Sequence, residues 1–325
     1  MDAHITIAVV SDVHYACAAE QARGDDYEID AIPDGFKKVL LRFYRYYIWL
    51  RHPLRQNRLL DEFLNRNDDA DWVVANGDYS CDTAFVGISD DAAFESVREC
   101  HGKLRAKFGE RLLATLGDHE FGKFSFVGNN GGMRLASYER AMRDLQLQPF
   151  WTNEVGRYVL AGVTSSLMTL PLLRAEAQPE EWNQWQQLRN EHLEEIRKGF
   201  AAIPSDRRII LFCHDPTALP FLAEENSVRN KLDQVELTVI GHLHSPLIFW
   251  KSRLLAGMPE IRFLGHSIRK MSRALSQAKH WRPFKPVLCP SLAGVELLKD
   301  GGYLTIKLDP SARTPLEVKR HRIRR

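Results

Sequence analysis

The chain has 325 residues, of which 44% are hydrophobic and 26% are charged, and its formal net charge is only +2. This composition is typical of a soluble globular protein with a substantial core. The five cysteines are scattered without a CxxC pair, which argues against a disulfide framework or a thiolate zinc site and favours a reducing compartment. The N-terminus has no basic leader and no apolar run of about 18 residues occurs, so we expect a cytoplasmic protein without a membrane span.

Short runs rich in Val, Ile and Leu recur along the chain, and each ends in polar or glycine-containing residues. Their continuous apolar character predicts strands that are buried on both faces. These runs are residues 4–12, 71–78, 111–118, 157–165, 207–215 and 236–244, and closing strands are predicted at 301–309 and 316–323. Amphipathic helices are predicted at 57–66, 92–109, 135–146 and 180–200. The alternation of strands and helices predicts an α/β layered fold in a single domain.

Asp and His residues follow five of these strands, at the edge where the functional sites of such sheets lie. They are Asp12 and His14, Asp78, Asp118 and His119, His214 and Asp215, and His242 and His244. A single Asp or His at a strand end is usually a helix cap or a hydrogen-bonded polar residue, but five such strand ends at one edge indicate a metal site. Oxygen and imidazole ligands without sulfur suit Mn, Fe or Zn, and two such metals form a clamp for in-line displacement at phosphorus.

The order of these residues resembles the calcineurin-like metallophosphoesterases. The chain carries D-x-H at Asp12 and His14, G-D at Asp78, a variant of G-N-H-D/E at Gly117–Glu120, H at His214, and G-H-x-H at His242 and His244. All five motifs occur in the family's order, each after a strand-like run. The resemblance implies a four-layer α-β-β-α sandwich with two divalent metal ions, either Mn, Fe or Zn.

The resemblance also implies a role for each motif residue. One metal is held by Asp12, His14 and His244, the other by Asp118, His214 and His242, and Asp78 bridges both. His119 would contact the phosphate or protonate the leaving oxygen, and Glu120 would orient its imidazole. The implied reaction is attack of a metal-bridging hydroxide on a phosphoester or pyrophosphate bond. Asp82 is either a further acid near the site or a surface turn residue.

The chain departs from the family at Asp118, where the family has asparagine. An asparagine offers a neutral carbonyl to the metal and an amide donor toward the phosphate. An aspartate lacks that donor and lowers the formal charge of the centre by one. We therefore expect weaker phosphate binding unless a nearby Arg or Lys compensates.

An insertion of about forty residues, 15 to about 56, separates the first strand from its helix, which is longer than usual loops. Its first half is acidic, and residues 36–58 carry seven Lys or Arg and no acid. One face of a predicted helix carries Phe36, Val39, Leu40, Phe43, Tyr47 and Ile48, and Lys37, Lys38, Arg42 and Arg45 lie elsewhere. Such a helix either packs on the core with a solvated basic face, or forms a cap that offers apolar and cationic surface to an acidic amphiphile or a membrane.

A second basic segment, about 261–286, again carries seven Lys or Arg and no acid. From the two segments, Arg42, Arg45, Arg269 and Lys270 are predicted to bind substrate. Residues 318–325 are predicted as a basic C-terminal tail that follows a metallophosphoesterase domain at 1–317.

Three functions fit these observations. The first is a hydrolase, peripheral to the inner face of a membrane, that acts on a phosphorylated lipid or a lipid-linked nucleotide such as UDP-diacylglucosamine. Pyrophosphatases of that substrate belong to the superfamily, although one branch carries Arg where His119 stands. The second is a nucleotide or nucleic-acid phosphodiesterase, which is disfavoured because the aromatic residues of the insertion lie among aliphatic ones. The third is a catalytically silent metal-binding scaffold, which Asp118 keeps open.

Overall fold

The computed structural model describes residues 4–30, 32, 34–125, 130–260 and 266–325, and for residues 266–271 it describes the backbone alone. Within this part of the chain no helix is long and apolar enough to cross a membrane.

Ten strands lie in the described residues. They are β1 (Ile5–Val10), β2 (Trp72–Asn76), β3 (Leu112–Thr115), β4 (Phe150–Val155), β5 (Tyr158–Val163), β6 (Arg208–Cys213), β7 (Val235–Ile240), β8 (Pro286–Leu288), β9 (Gly302–Leu308) and β10 (Glu317–Arg322). They form two five-stranded sheets with the orders β10-β9-β1-β2-β3 and β4-β5-β6-β7-β8. Strands β1 to β3 are parallel, as are β5 to β8. The carboxyl ends of the parallel strands in each sheet therefore share one edge.

Twelve α-helices are described. They are α1 (Ala18–Ala22), α2 (Tyr27–Asp30), α3 (Gly35–Tyr44), α4 (Asn57–Arg66), α5 (Asp91–Phe108), α6 (Leu135–Arg143), α7 (Ser165–Met168), α8 (Trp182–Ala202), α9 (Leu219–Glu224), α10 (Asn226–Arg229), α11 (Pro246–Leu254) and α12 (His266–Gln277). Helix α3 continues into one π-helical turn at Arg45–Trp49.

The two sheets pack face to face, and helices cover both outer faces. Alternate residues of a strand point to opposite faces, so Ile7 and Val9 of β1 meet Phe212 of β6 in the core between the sheets. Their neighbours on β1, Ala8 and Val10, pack on the other side against α4 and α5. On the second sheet, the outer residues of β6 pack against α8. The predicted four-layer α-β-β-α sandwich is confirmed.

All eight strands predicted from the sequence are present, and two strands were missed. Strand β4 contains Thr, Asn and Glu and pairs at the edge of its sheet, so its sequence lacks the continuous apolar run of a central strand. Strand β8 has only three residues and lies within the second basic segment. The closing strand predicted at 316–323 is present as β10, which pairs antiparallel with β9 over Glu317–Arg322, so most of the predicted basic tail at 318–325 belongs to this strand.

The insertion forms α1 to α3 and the π-helical turn. None of the residues of α3 is buried, and Phe36 and Val39 are 78% and 66% exposed. The alternative in which this helix packs on the core is therefore wrong, and its apolar face is open to solvent. The second basic segment differs, because Trp281 and Phe284 are buried against the second sheet.

Candidate metal centre

The predicted metal ligands lie in the loops that directly follow β1, β2, β3, β6 and β7. Hydrogen bonds join these loops: Asp12 N donates to Gly77 O over 3.0 Å and His14 N donates to Asp78 O over 3.1 Å. Five of the seven positions have a left-handed backbone, with φ between 49° and 59°: Asp12, His14, Asp78, His242 and His244. Such a conformation costs on the order of 1–3 kcal/mol for a non-glycine residue and is concentrated at functional sites.

Two glycines of the motifs are required because other groups approach them closely. A Cβ on Gly117 would lie 2.6 Å from Asp78 N and would overlap Asp78 Oδ1. A Cβ on Gly241 would lie 2.7 Å from Asp12 Oδ2. In both motifs the glycine therefore makes room for the carboxylate of another loop.

The structure brings all seven predicted ligands together in two groups, within each of which the candidate ligand atoms lie within 4.8 Å of one another. One group is Asp12, His14, Asp78 and His244, and the other is Asp78, Asp118, His214 and His242. Asp78 belongs to both. His244 Nε2 lies 3.3 Å from Asp12 Oδ1, and His214 Nε2 lies 3.1 Å from Asp78 Oδ2.

Two of the histidines are oriented by backbone carbonyls. His14 Nδ1 lies 3.2 Å from Ser80 O, and His214 Nδ1 lies 2.6 Å from Asn76 O. A carbonyl only accepts, so each Nδ1 carries the hydrogen and each Nε2 has a free lone pair, as a metal ligand requires. Among the described residues His14 Nε2 is buried without a hydrogen-bond partner, and His214 Nε2 and Asp78 Oδ2 are buried 3.1 Å apart but form no hydrogen bond. Such orphaned buried atoms are costly in a protein interior, and two divalent cations would satisfy them. The residues present therefore fit a dinuclear centre.

His119 lies beside the two groups. Its backbone N donates to Asp78 Oδ1 over 3.0 Å, its Nε2 lies 3.8 Å from Asp78 Oδ2, and its ring centroid is 4.7 Å from that of His14. Burial and then the charge of Lys123 lower the pKa of His119 to about 3. The imidazole is therefore neutral near pH 7.

Glu120 does not have the predicted role. Its Oε2 accepts from Gly117 N over 2.7 Å and from Asp78 N over 3.1 Å, and its Oε1 accepts from Tyr79 N over 2.8 Å. The Nδ1 of His119 has no hydrogen-bond partner within the described ranges. The prediction that Glu120 orients this imidazole is therefore wrong. Glu120 instead ties the loop after β2 to the loop after β3, which positions Asp78.

Asp82 was predicted as either a further acid near the site or a surface turn residue. It is fully buried and its Oδ1 accepts from Gly87 N over 2.9 Å. Its backbone φ of 47° marks a turn, so it is a turn residue, but an interior one. Burial raises the pKa of its carboxyl well above the usual value.

Lys123 is a residue of the site that the sequence analysis missed. Its Nζ lies 2.7 Å from Asp118 Oδ2, while Asp118 Oδ1 lies 3.0 Å from His242 Nδ1 and 3.5 Å from His214 Nε2. Burial opposes the charge of this ammonium, but Asp118 and Asp78 outweigh it and raise the pKa of Lys123. The missed signal is the short spacing of five residues between the unusual acid and the lysine in "DHEFGK".

Trp49 is a second residue that was missed. Its ring centroid lies 4.9 Å from that of His244, so the C-terminal end of the insertion covers one of the candidate ligands. Backbone hydrogen bonds fix it there, since Glu296 N donates to Trp49 O over 2.6 Å and Leu297 N donates to Ile48 O over 3.2 Å.

The structure does not support Arg42 and Arg45 as free substrate-binding residues. Arg42 pairs with Asp26 and Asp30 at 3.1 and 2.9 Å, and Arg45 pairs with Glu28 at 2.6 Å and donates to Asp25 O. The acidic and basic halves of the insertion thus neutralise each other. The side chains of Arg269 and Lys270 lie outside the described residues.

A candidate site for two metal ions lies at the edges of two packed sheets, and comparison with known families identifies the class of the protein. The family model for calcineurin-like phosphoesterases matches residues 5–246, and the chain belongs to this family. It is a phosphoester hydrolase, and the family implies divalent metal ions in a dinuclear centre. No curated protein matches the sequence.

Solved structures of similar proteins bear on the fold alone. A dimetal phosphatase from Danio rerio has 12% identity and a TM-score of 0.53, with 98% of this chain and 97% of that chain covered. A phosphopantetheinyl hydrolase from Mycobacterium tuberculosis has 15% identity, coverage of 76% and 85%, and a TM-score of 0.37. A purple acid phosphatase from yellow lupin has 10% identity, coverage of 99% and 52%, and a TM-score of 0.41. The last two scores are too low to support any further argument.

Proposed function

We propose that the chain is a dinuclear phosphohydrolase that acts on an amphiphilic phosphate ester or pyrophosphate, with a lipid-linked nucleotide such as UDP-diacylglucosamine as its type of substrate. The observation that carries the hydrolytic part is the position of Asp78, which belongs to both candidate ligand groups. Asp12, His14 and His244 would hold one ion with Asp78, and Asp118, His214 and His242 would hold the other. Two divalent ions at such a site polarise the phosphoryl group and lower the pKa of a bound water.

The residues of the chain have defined parts in this reaction. The tautomers of His14 and His214 are fixed by backbone carbonyls, so these ligands need no rearrangement when metal binds. The neutral imidazole of His119 carries one N–H, which can donate to a phosphoryl oxygen or to the leaving oxygen. Glu120 has no contact with the reacting groups in this account and holds Asp78 in place.

The amphiphilic substrate is supported by apolar surface around the centre. Three segments that carry it are joined to the metal-centre loops. Trp49 of the insertion lies against His244, α11 begins two residues after His244, and Leu297 is bonded to the insertion. Their exposed apolar residues include Phe36, Val39, Leu40, Phe43, Tyr47, Trp250, Leu254 and Leu297. Each large apolar side chain that stays exposed to water lacks the stabilisation of about 1.5–3 kcal/mol that its burial would contribute. On α3 the exposed apolar residues share one helical face, as is typical of an interaction site, and acyl chains are the partner that we propose.

The same surface offers cations for an anionic headgroup. Lys37 is 59% exposed with its Nζ 3.8 Å from Asp34 Oδ2, and Lys38 lies beside it on α3 with its Nζ donating to Asp30 O. A groove of about 350 Å³ next to α3 is lined in part by Arg51 and Tyr46. The guanidinium of Arg51 lies 3.9 Å from the centre of the Tyr46 ring, and its buried Nε has no hydrogen-bond partner among the residues that the structure describes. We propose Arg51 in place of Arg42 and Arg45 as the cation that meets the substrate.

The experiment compares the native chain with Phe36→Ser/Leu40→Ser, a double variant at exposed positions of α3. Binding to anionic phosphatidylglycerol vesicles is measured by sedimentation, and hydrolysis is measured on UDP-diacylglucosamine in detergent and on bis(p-nitrophenyl) phosphate. Val318→Ser, at an exposed position of edge strand β10, is the matched control. Since these side chains are exposed, neither variant should unfold.

We expect the α3 variant to lose roughly tenfold or more in vesicle binding and in lipid-nucleotide hydrolysis, and to cleave the soluble ester at the native rate. The control should behave as the native chain does. Equal native activity on the soluble ester and on oligonucleotides, with no response to lipid, would instead favour a nucleotide or nucleic-acid phosphodiesterase. Metal binding without turnover on any of these substrates would favour the scaffold.

A further inference from the structure

Asp118 and Lys123 form a pair at the mouth of the candidate metal centre. The two carboxylate oxygens of Asp118 face different partners: Oδ1 faces His242 Nδ1 and His214 Nε2, and Oδ2 faces Lys123 Nζ at 2.7 Å. The side chain of Lys123 is 24% exposed and that of Asp118 is 15% exposed. The pair therefore borders solvent and lies beside the candidate ligands His214 and His242.

The backbone holds Lys123 in this position. Gly122 N donates to Asp118 O over 3.1 Å, which turns the chain back toward the centre. Lys123 N then donates to Phe85 O over 3.2 Å, and Lys123 O accepts from Gly132 N over 3.1 Å. Both backbone polar groups of Lys123 are therefore bonded, which fixes the loop from which its Nζ reaches Asp118 Oδ2.

The pair has the same formal charge as the residue that the family carries. Two divalent ions with the carboxylates of Asp12, Asp78 and Asp118 leave a single positive charge. Lys123 adds a second one, which restores the value that an asparagine at position 118 would give. The lysine thus cancels the extra carboxylate that distinguishes this chain.

The pair also restores a hydrogen-bond donor. An asparagine amide donates N–H to a phosphate, and an aspartate cannot. The ammonium of Lys123 has three N–H groups, and Asp118 is its ion-pair partner in the part of the chain that the structure describes, so a further N–H can donate to a phosphoryl oxygen.

We propose that Lys123 and Asp118 act as one unit that replaces the family's asparagine, with Asp118 facing the metal centre and Lys123 donating to the substrate's phosphoryl group. This rests on the proposed function, because it assigns the phosphate-binding residue of the same centre. Lys123 would be a specificity-determining residue for dianionic or pyrophosphate groups, since the attraction between its full positive charge and the substrate increases with the negative charge of the substrate.

The test uses a double-mutant cycle of four proteins: native, Lys123→Met, Asp118→Asn, and the double variant. Two readouts do not depend on turnover: bound metal per chain, and the dissociation constant of inorganic phosphate by equilibrium dialysis of the metal-loaded protein. Lys107→Met is the matched control, because its Nζ pairs with Asp68 at the same distance of 2.7 Å on the surface of α5. Circular dichroism and the melting temperature report folding.

We expect Lys123→Met to keep both metals and to bind phosphate roughly ten- to a hundredfold more weakly, as the loss of one charge-assisted bond predicts. Replacing Asp118 by Asn in that background should recover most of the affinity, because charge and donor are restored without the lysine. A folding defect of Lys123→Met would not be repaired in this way. Lys107→Met should bind phosphate as the native chain does.

The proposed role of the pair would be refuted if Lys123→Met bound phosphate with native affinity. It would also be refuted if the double variant bound phosphate no more tightly than Lys123→Met does. Either result would leave the proposed function intact if the native chain holds two ions and cleaves phosphoesters. A native chain that takes up no metal would refute the proposed function itself, and a metal-loaded native chain that binds no phosphate would overturn the pair.

Discussion

The substitution Gly117→Ala tests whether Asp78 is placed by the close approach of two loops. A Cβ at position 117 would lie 2.6 Å from Asp78 N and 3.0 Å from Asp78 Cγ, and would overlap Oδ1. The backbone of Gly117 does not have a positive φ, so alanine has no conformational penalty there. Any effect therefore arises from the displacement of Asp78.

The size of the effect follows from these distances. Ordinary contact begins at 3.4 Å, so the 2.6 Å separation requires a shift of about 0.8 Å, whereas metal–ligand distances tolerate only about ±0.2 Å. Overpacking a buried site costs about 1–3 kcal/mol, and we expect this loss in the metal-free chain. In the loaded chain the metal-linked stabilisation, about 2.7 kcal/mol at a hundredfold excess over the dissociation constant, should vanish as well.

Thermal unfolding with excess Mn²⁺ or Zn²⁺ and with chelator, together with metal counting, measures both effects. Gly102→Ala is the matched control, because a Cβ at that position of α5 meets nothing within 4 Å and alanine favours a helix by about 1 kcal/mol. The reasoning is refuted if Gly117→Ala binds two ions as tightly as the native chain and shows the same difference in melting temperature with and without metal.

Three further predictions follow from the structure. Glu120→Ala leaves three buried backbone N–H groups without an acceptor, so it should lower the free energy of unfolding, measured in urea, by on the order of 3 kcal/mol or more. His119→Ala should abolish turnover at native stability. Native stability of Glu120→Ala would contradict the role given to Glu120. Trp49→Ala should raise KM for lipid nucleotide with little change in metal content, because it removes the ring over His244; an unchanged KM would exclude Trp49 from the binding site. Burial lowers the pKa of His192 to about 3, so on acidification the unfolded chain binds a proton at this histidine before the folded chain does. The contribution of His192 to stability is therefore complete above about pH 6.5, and below it the free energy of unfolding falls by up to about 1.4 kcal/mol per pH unit. His192→Gln should make this decrease less steep, and an identical decrease in urea unfolding measured from pH 7 to 4 would refute the assignment.

The sequence pattern was sufficient for an α/β layered fold and for the place of the centre, and the family resemblance added the four-layer sandwich. Hydrophobic runs that end in Asp or His mark buried parallel strands whose carboxyl ends meet at one edge. The sequence therefore predicts that the loops with Asp12 and His242 lie close together. Edge strand β4 was not predictable in the same way, because its sequence, Phe-Trp-Thr-Asn-Glu-Val, is half polar.

The contacts that complete the centre depend on tertiary packing and could not be read from motif spacing. Glu120 is near His119 in sequence, yet its carboxylate bonds to backbone N–H groups of two loops. Arg42 and Arg45 stood out as free cations only because their partners Asp26 and Glu28 lie in a different part of the insertion. Charge patterning alone therefore suggested binding residues where the fold makes ion pairs.

The most direct test of the dinuclear centre is metal counting in the native chain and in Asp78→Asn, combined with turnover of bis(p-nitrophenyl) phosphate. Asp78 is the residue that both ligand groups share, so its loss should affect both ions, whereas Asp68→Asn at an exposed ion pair of the surface should affect neither. The account predicts two divalent ions and turnover in the native chain and in Asp68→Asn, and at most one ion without turnover in Asp78→Asn. Two tightly bound ions and native turnover in Asp78→Asn would contradict it.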